Sequence, residues 1–207
     1  MSAMQPERPI YIIDDDDEVC RSLTRLLQTM KGLAPRTWPS SDAFLVDLDL
    51  LAPGTVITDI CMPGTDGLML IAAMRARARP DPIVVVTGHA DVPLAVQALK
   101  AGAADFLEKP FETDNLLAVI EHLNQQQVAS HPRALHPQMS ALSKREFEVF
   151  ECLVEGATNK QIAYRLAISP RTVEIYRANL MAKMQANSLS HLVRMGLEAG
   201  LGRQVPK

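Results

Sequence analysis

Five acids, one threonine and one lysine hold the chemistry that this sequence offers. Asp14, Asp15, Asp16 and Asp17 follow an apolar run at residues 9–13, and Asp59 follows Val56-Ile57-Thr58. Met62-Pro63-Gly64 then breaks the chain three residues on. A lone Thr87 closes the run Ile83-Val84-Val85-Val86, and a lone Lys109 follows Asp105-Phe106-Leu107-Glu108. Four short runs therefore end in an acid pair, an acid, a hydroxyl and an ammonium. Converging carboxylates repel one another, and burial would push one of them to protonate. A hard divalent cation removes that conflict; Mg²⁺ takes one or two carboxylates, waters and a phosphate. The lysine and the hydroxyl would give donors to phosphoryl oxygens. Each group alone also fits a plainer role: a helix N-terminus for the four acids, a turn acid, a strand-end cap, a snorkelling surface lysine. It is their joint placement at strand ends that points to a site.

The elements that must position these groups alternate strictly. A helix over 18–30 is predicted from Val19, Leu23, Leu26, Leu27 and Met30, with Gly32 ending it. Residues 35–38 make a short edge strand, and Ser40 or Ser41 caps a helix through Leu51. Further helices are expected over 66–79, 91–101 and, capped by Thr113 or Asp114, through Leu123. Five strands and five helices give a doubly wound α/β fold, a five-stranded parallel sheet with helices on both faces. Ligand sites in such sheets lie at the carboxyl ends of the strands, where the acids are.

Net charge is −3 over 207 residues, but it is unevenly shared. Residues 1–139 hold 11 Lys/Arg against 18 Asp/Glu, and residues 140–207 hold 10 against 6. The acidic part and the basic part suggest two tasks, the second on a polyanion. No apolar run approaches the ~20 residues of a membrane helix, and no secretory signal is visible at the start. Three distant cysteines, Cys20, Cys61 and Cys152, suit neither a disulfide framework nor a zinc spacing. A cytoplasmic protein without a membrane partner is expected.

Ile12-Ile13-Asp14-Asp15-Asp16, Thr58-Asp59-Ile60-Cys61-Met62-Pro63-Gly64, Val86-Thr87-Gly88-His89 and Glu108-Lys109-Pro110-Phe111 together resemble the receiver domain of two-component response regulators. The resemblance spans about residues 8–124 and implies a flavodoxin-like receiver, assigned here to 1–124. It implies that Asp59 accepts a phosphoryl group and that Asp15, Asp59 and the Cys61 carbonyl hold Mg²⁺, with Asp14 acting through a water. Lys109 would pair with the phosphoryl group, and Lys109-Pro110 would be cis. Thr87 and Phe106 match the family's switch pair, with Phe in place of the commoner Tyr. Val96, Lys100 and Asp105 fall on the face through which such domains commonly dimerise when phosphorylated. Residues 88–93 further resemble the FixJ/NarL type, in the branch typified by the nitrogen-fixation regulator FixJ.

Residues 124–138 lack an apolar period and read as an exposed linker, taken as 125–139. Its histidines, with His122 nearby, have no metal-ligand spacing. From 140 to 207 four helices are expected. Ser143 and Glu146 make a capping box, Thr158 caps the helix over 159–166, and Ser169 caps a third helix with Pro170 in its first turn. Val173, Tyr176, Leu180 and Met184 would form that helix's buried stripe. The fourth starts near Ser188. Alone, this is a helix-turn-helix or a small bundle with a charged face. Leu142–Glu146, Gly156–Ala163 and Ser169–Glu174 resemble the LuxR-type DNA-binding domain, an all-α four-helix helix-turn-helix unit. That resemblance implies phosphate contacts from Lys160, Thr172 and Lys183, and base-edge contacts from Glu174, Ile175, Arg177, Ala178 and Asn179.

The reading is a phosphorylation-activated transcription regulator, not an enzyme. Its partners would be a sensor histidine kinase, double-stranded promoter DNA, a second copy of the chain and RNA polymerase. A phosphatase with an aspartyl nucleophile is the enzymic rival, but it typically needs an acid two residues after the nucleophile, where Cys61 stands. A constitutive DNA-binding protein with a vestigial receiver is the other rival, and the complete set of acids, Thr87 and Lys109 argues against it.

Overall fold

A computed structural model describes residues 8–88, 92–126 and 137–202. The chain forms two compact units, residues 1–89 with 101–128 and residues 90–100 with 129–207.

The first unit is built on five parallel strands: β1 (Arg8–Ile13), β2 (Leu33–Trp38), β3 (Thr55–Thr58), β4 (Ile83–Thr87) and β5 (Asp105–Glu108). Their order is β2-β1-β3-β4-β5. β2 begins two residues before the expected start because it pairs with β1 along its whole length, Arg8 with Leu33 through Ile13 with Trp38. It is an edge strand, which tolerates Pro35. The central strands β3 and β4 are buried at every residue, as a sheet covered on both faces requires.

Alternate side chains of the sheet go to opposite faces. Ile10, Ile12, Ile57, Val84, Val86 and Leu107 share one core with Cys20, Leu23 and Leu27 of α1 (Asp17–Gln28) and Leu116, Ile120 and Leu123 of α5 (Thr113–Gln126). Tyr11, between Ile10 and Ile12, meets Trp38 and Phe44 instead, with ring centroids 5.6 and 5.8 Å away. Phe44 lies in α2 (Ser41–Asp47), which Ser40 caps. The helix expected through Leu51 stops at Asp47 and tightens into a 3₁₀ turn over Leu48–Leu50. α3 (Gly67–Ala76) begins at the Asp66 cap and ends before Arg79, because Ala78 is left-handed at φ 54°. α5 runs on to Gln126, so its backbone takes in three residues read as linker. Residues 127–136 lie outside the described residues, and Pro137–Ala141, which overlaps the end of that stretch, forms a 3₁₀ turn.

The second unit contains α4 (Val92–Ala101), α6 (Lys144–Glu155), α7 (Asn159–Leu166), α8 (Pro170–Met184) and α9 (Leu189–Glu198). α6, α7 and α8 start at the expected caps, Ser143, Thr158 and Ser169, and α9, expected to start near Ser188, has Ser188 as its cap. Ser143/Glu146 and Thr158/Gln161 are complete capping boxes. Val149, Phe150, Leu153, Ile162, Val173, Leu180, Met184 and Leu192 form the core, and α4 adds Val96 and Leu99 to a small cluster with Val193. Tyr176, expected inside, is half-buried, as is Phe147, while Val149 is fully buried on α6. α9 packs where Gly196 has no side chain: a Cβ there would stand 2.4 Å from a Val154 methyl and 3.0 Å from the Phe150 ring. Gly196→Ala should therefore overpack this core and cost about 1–3 kcal/mol. Urea unfolding followed by circular dichroism measures it, and an unchanged midpoint would mean that α9 shifts without cost.

Candidate functional site

Backbone hydrogen bonds carry the strand ladder one residue past the sheet and thereby fix the chemical groups. The Asp59 N–H donates to the Ile13 carbonyl (3.0 Å), the Asp14 N–H to the Trp38 carbonyl (3.3 Å), and the Lys109 N–H to the Thr87 carbonyl (2.8 Å). Three chain segments that lie far apart in sequence thus bring their side chains to one end of the sheet.

Lys109 is the centre of the cluster. Its Nζ donates to Asp14 Oδ2 at 2.7 Å and to Asp59 Oδ2 at 3.1 Å. The side chains of Asp14, Asp59 and Lys109 are 4, 13 and 23% exposed, so water screens them only partly. Burial alone would lower the lysine pKa; its bonds to Asp14 and Asp59 outweigh that, and the net direction is up. The conflict between carboxylates that the sequence implies is met, among these groups, by an ammonium. Asp59 Oδ1 accepts the Cys61 N–H at 3.1 Å, which orients the carboxylate. Lys109-Pro110 is cis, as expected.

The four consecutive acids divide their roles. Asp14 is buried and also accepts the Asp16 N–H (2.9 Å); Asp15 is exposed. Asp16 caps α1 by accepting from Glu18 and Val19, and Asp17 is the first helical residue. The plainer helix-start reading thus holds for Asp16 and Asp17. Thr87 is fully buried, with its hydroxyl 3.8 Å from the Cys61 sulfur, and Phe106 is 7% exposed. Of the three residues expected at a dimer face, Lys100 is exposed, whereas Val96 and Asp105 are buried, 2 and 6% exposed. Asp105 turns its carboxylate to the Phe106 N–H at 2.8 Å. Among the described residues no three His, Cys, Asp or Glu side chains are grouped as a metal cage.

Gly67 escaped the sequence reading. A Cβ on it would lie 2.4 Å from the Asp59 carbonyl oxygen and 2.8 Å from the Ile60 Cα, and its N–H donates to the Ile60 carbonyl at 3.1 Å. The start of α3 is pressed against the backbone that carries Asp59, and only glycine permits it. Asp66-Gly67 did signal a helix start, but nothing in the sequence shows what the start packs on.

The basic residues of the second unit are not all on offer. Lys160, Glu174, Ile175, Ala178 and Asn179 are exposed, and Thr172 is half-buried with its hydroxyl 2.7 Å from that of Ser169. Arg177 is half-buried and donates to Asn159 Oδ1 at 2.8 Å; burial lowers its pKa. Lys183 donates to Glu146 Oε2 at 2.7 Å and to the Ala141 carbonyl at 3.3 Å. Both side chains are tied to neighbouring helices or turns, which spacing along α8 could not reveal.

The comparisons with known proteins agree with this architecture. Residues 10–121 match the response regulator receiver domain, and residues 140–196 match the bacterial regulatory proteins of the luxR family. The chain is a two-component response regulator. The transcriptional regulatory protein FixJ of Bradyrhizobium diazoefficiens is 49% identical over 197 residues, covering 93% of this chain and 96% of its own. FixJ of Azorhizobium caulinodans is 47% identical over 206 residues, 96% of each. The crystal structure of full-length FixJ from B. japonicum is similar with a TM-score of 0.56 and 47% identity, over 95% of this chain and 98% of that one. A receiver joined to a LuxR-family DNA-binding domain makes this response regulator a phosphorylation-dependent transcription regulator. No helix of the described residues is long and apolar enough to cross a membrane.

Lys183 and the Ser143 N–H together hold the Glu146 carboxyl at about 2, below its ordinary 4.5. A lowered pKa means that this ion pair stabilises fully above pH 4.5 and loses its contribution as pH falls toward about 2. Glu146→Gln should be less stable than wild type at neutral pH, with the gap closing through that window. Urea midpoints taken stepwise through it decide the point; a constant gap would mean that the carboxylate is not what titrates.

Proposed function

We propose that Asp59 accepts a phosphoryl group from a sensor histidine kinase and that the added charge controls dimerisation and promoter binding. The observation that carries this reading is the Lys109 ammonium, 2.7 Å from Asp14 and 3.1 Å from Asp59. A cation seated on the acceptor carboxylate stands where phosphoryl oxygens will need a donor. An Asp59 oxygen attacks phosphorus, the phosphorus–nitrogen bond of the donor breaks, and the imidazole leaves. Lys109 then holds a phosphoryl oxygen in place of a carboxylate oxygen. The Cys61 N–H keeps the carboxylate turned toward the incoming group.

The donor set fits Mg²⁺. The Asp15 and Asp59 carboxylates and the Cys61 carbonyl are hard oxygen ligands, Asp14 lies close enough in the cluster to act through a water, and Mg²⁺ asks for few protein ligands. The ion, when bound, neutralises charge on the transferring phosphoryl group. Cys61, two residues past Asp59, has no carboxyl with which to direct water at the product. Phosphorylation is therefore stoichiometric, and the chain is a regulator rather than a phosphatase. Acetyl phosphate with Mg²⁺ should label the wild type, while Asp59→Asn takes up none and Asp15→Asn labels far more slowly at low Mg²⁺. Normal labelling of Asp15→Asn under those conditions would remove Asp15 from the metal site, and multiple turnover of a phosphomonoester would restore the phosphatase reading.

A phosphoryl group adds about −1.5 to −2 charge. The buried Thr87 hydroxyl gains an acceptor, and Phe106 repacks with it, a two-state change inside a packed region rather than a swing from solvent. The face bearing Val96, Lys100 and Asp105 is where two copies meet, placing two helix-turn-helix units on paired half-sites. Lys160 and Thr172 contact phosphates, and Glu174, Ile175, Ala178 and Asn179 face base edges. Arg177 and Lys183 join the DNA only by giving up Asn159 and Glu146. RNA polymerase is the further partner at the promoter, in the cytoplasm. Because Val96 and Asp105 are buried, the substitution that tests the face without opening a core is Lys100→Glu. Light scattering with acetyl phosphate should find the wild type dimeric and Lys100→Glu monomeric although labelled; a labelled Lys100→Glu dimer would take this face out of the reading.

A further inference from the structure

We infer that Ile175, with Ala178 beside it, reads the C5-methyl group of thymine in the major groove. This deepens, and rests on, the proposed reading of α8 as the base-facing helix. Val173, Leu180 and Met184 of that helix are fully buried, whereas Ile175 is 56% exposed. A single exposed apolar residue needs no explanation. Ile175 differs in its setting: Ala178 stands three residues on and Asn179 four, both exposed, and Glu174 stands one turn before Ala178. These four residues make one strip whose centre is apolar and whose margins are a carboxylate and an amide.

What the strip lacks is equally informative. Of the long donors of α8, Arg177 is engaged on Asn159 at 2.8 Å and Lys183 on Glu146 at 2.7 Å, and the exposed Arg171, one turn before Ile175, stands at the N-terminal margin of the strip rather than at its centre. A guanidinium fork with one arm already bonded and half-buried is poorly placed for bidentate contact with guanine. Of the four ordinary bases only thymine offers an apolar group in the major groove, its methyl. An isoleucine side chain with an alanine next to it gives that methyl a surface to bury against, and neither residue can replace the hydrogen bonds of another base edge.

The test uses the full-length chain treated with acetyl phosphate and Mg²⁺, and the duplex that it enriches from random DNA. Each thymine of that duplex is replaced singly by deoxyuridine, which removes one methyl and leaves the base-pairing edge intact. At least one replacement should weaken wild-type binding about fourfold, the effect of one buried methyl. Ile175→Ala should bring that ratio near one while binding the deoxyuridine duplex about as well as wild type does; Ile175→Val should keep part of it. Indifference of the wild type to every replacement overturns the inference, and so does an undiminished methyl effect in Ile175→Ala. Equal loss of both duplexes by Ile175→Ala also overturns it, since Ile175 would then serve binding in another way. If the phosphorylated wild type enriches no sequence at all, the reading of α8 itself fails, and the inference with it.

Discussion

The first unit depends on one cation held between two acids. Asp14 and Asp59 reach the same end of the sheet because β1 and β3 are neighbours in register, Ile13 opposite Thr58. Their charges would oppose that pairing if nothing lay between them. Lys109 comes from β5, on the far side of β4, and reaches both carboxylates. Exposed ion pairs contribute little, but here Asp14 is 4% exposed and the lysine loses much of its water as well. Removing one member of a buried pair leaves a charge uncompensated, which typically costs about 3–5 kcal/mol. The same arrangement makes the site responsive. An ammonium shared by two carboxylates is in balance, and a new anion on one of them changes what it holds.

That balance explains why strand order matters more here than any local feature. β5 is the last strand in sequence and lies at the sheet edge, beside β4. The Lys109 N–H binds the Thr87 carbonyl, so the hydroxyl and the ammonium are held by adjoining backbone. On the other side, Gly67 lets α3 start against the Asp59 carbonyl itself. The Asp59 carboxylate is therefore confined from its own loop, from the following helix and by a lysine fifty residues away. A change at Asp59 is passed on because little in its surroundings can absorb it locally.

Much of this was legible in the sequence because it rests on short-range rules. Apolar runs of four or five residues ending in a turn signal gave the strands, and a Ser or Thr cap just before a helical run gave helix starts of the second unit. Those rules act over a few bonds, and the structure obeys them at Ser143, Thr158 and Ser169. What stayed hidden is set by contacts across the chain. Ala78 in the left-handed region ends α3 early, because Arg79 turns there to reach Asp81 at 2.8 Å and the Leu51 carbonyl at 3.0 Å. Lys183 and Arg177 lie on α8 with the exposed Glu174, Ile175, Ala178 and Asn179, yet their side chains reach partners 37 and 18 positions away. Helical periodicity tells which way a side chain leaves the backbone; a long flexible side chain then goes wherever its charge is met.

This matters for how the second unit meets a polyanion. Its formal excess of Lys and Arg over Asp and Glu suggests a strongly salt-dependent grip, since each neutralised phosphate releases counterions. Several of those cations already have internal partners. Arg145 is paired with Glu148 at 2.7 Å, Arg165 with Glu155, Lys183 with Glu146 and Arg177 with Asn159. A cation held by a carboxylate brings a nearby negative charge to the phosphate along with its own positive one. Fewer phosphates would then be neutralised per molecule than residue counts suggest. Two consequences follow from that single fact. On the proposed reading, base-edge contacts would supply a larger share of the affinity, which suits a face made of Glu174, Ile175, Ala178 and Asn179. On the reading proposed above, two units acting together would supply the rest of the promoter occupancy, and a phosphoryl group at the end of the sheet would gain its leverage there.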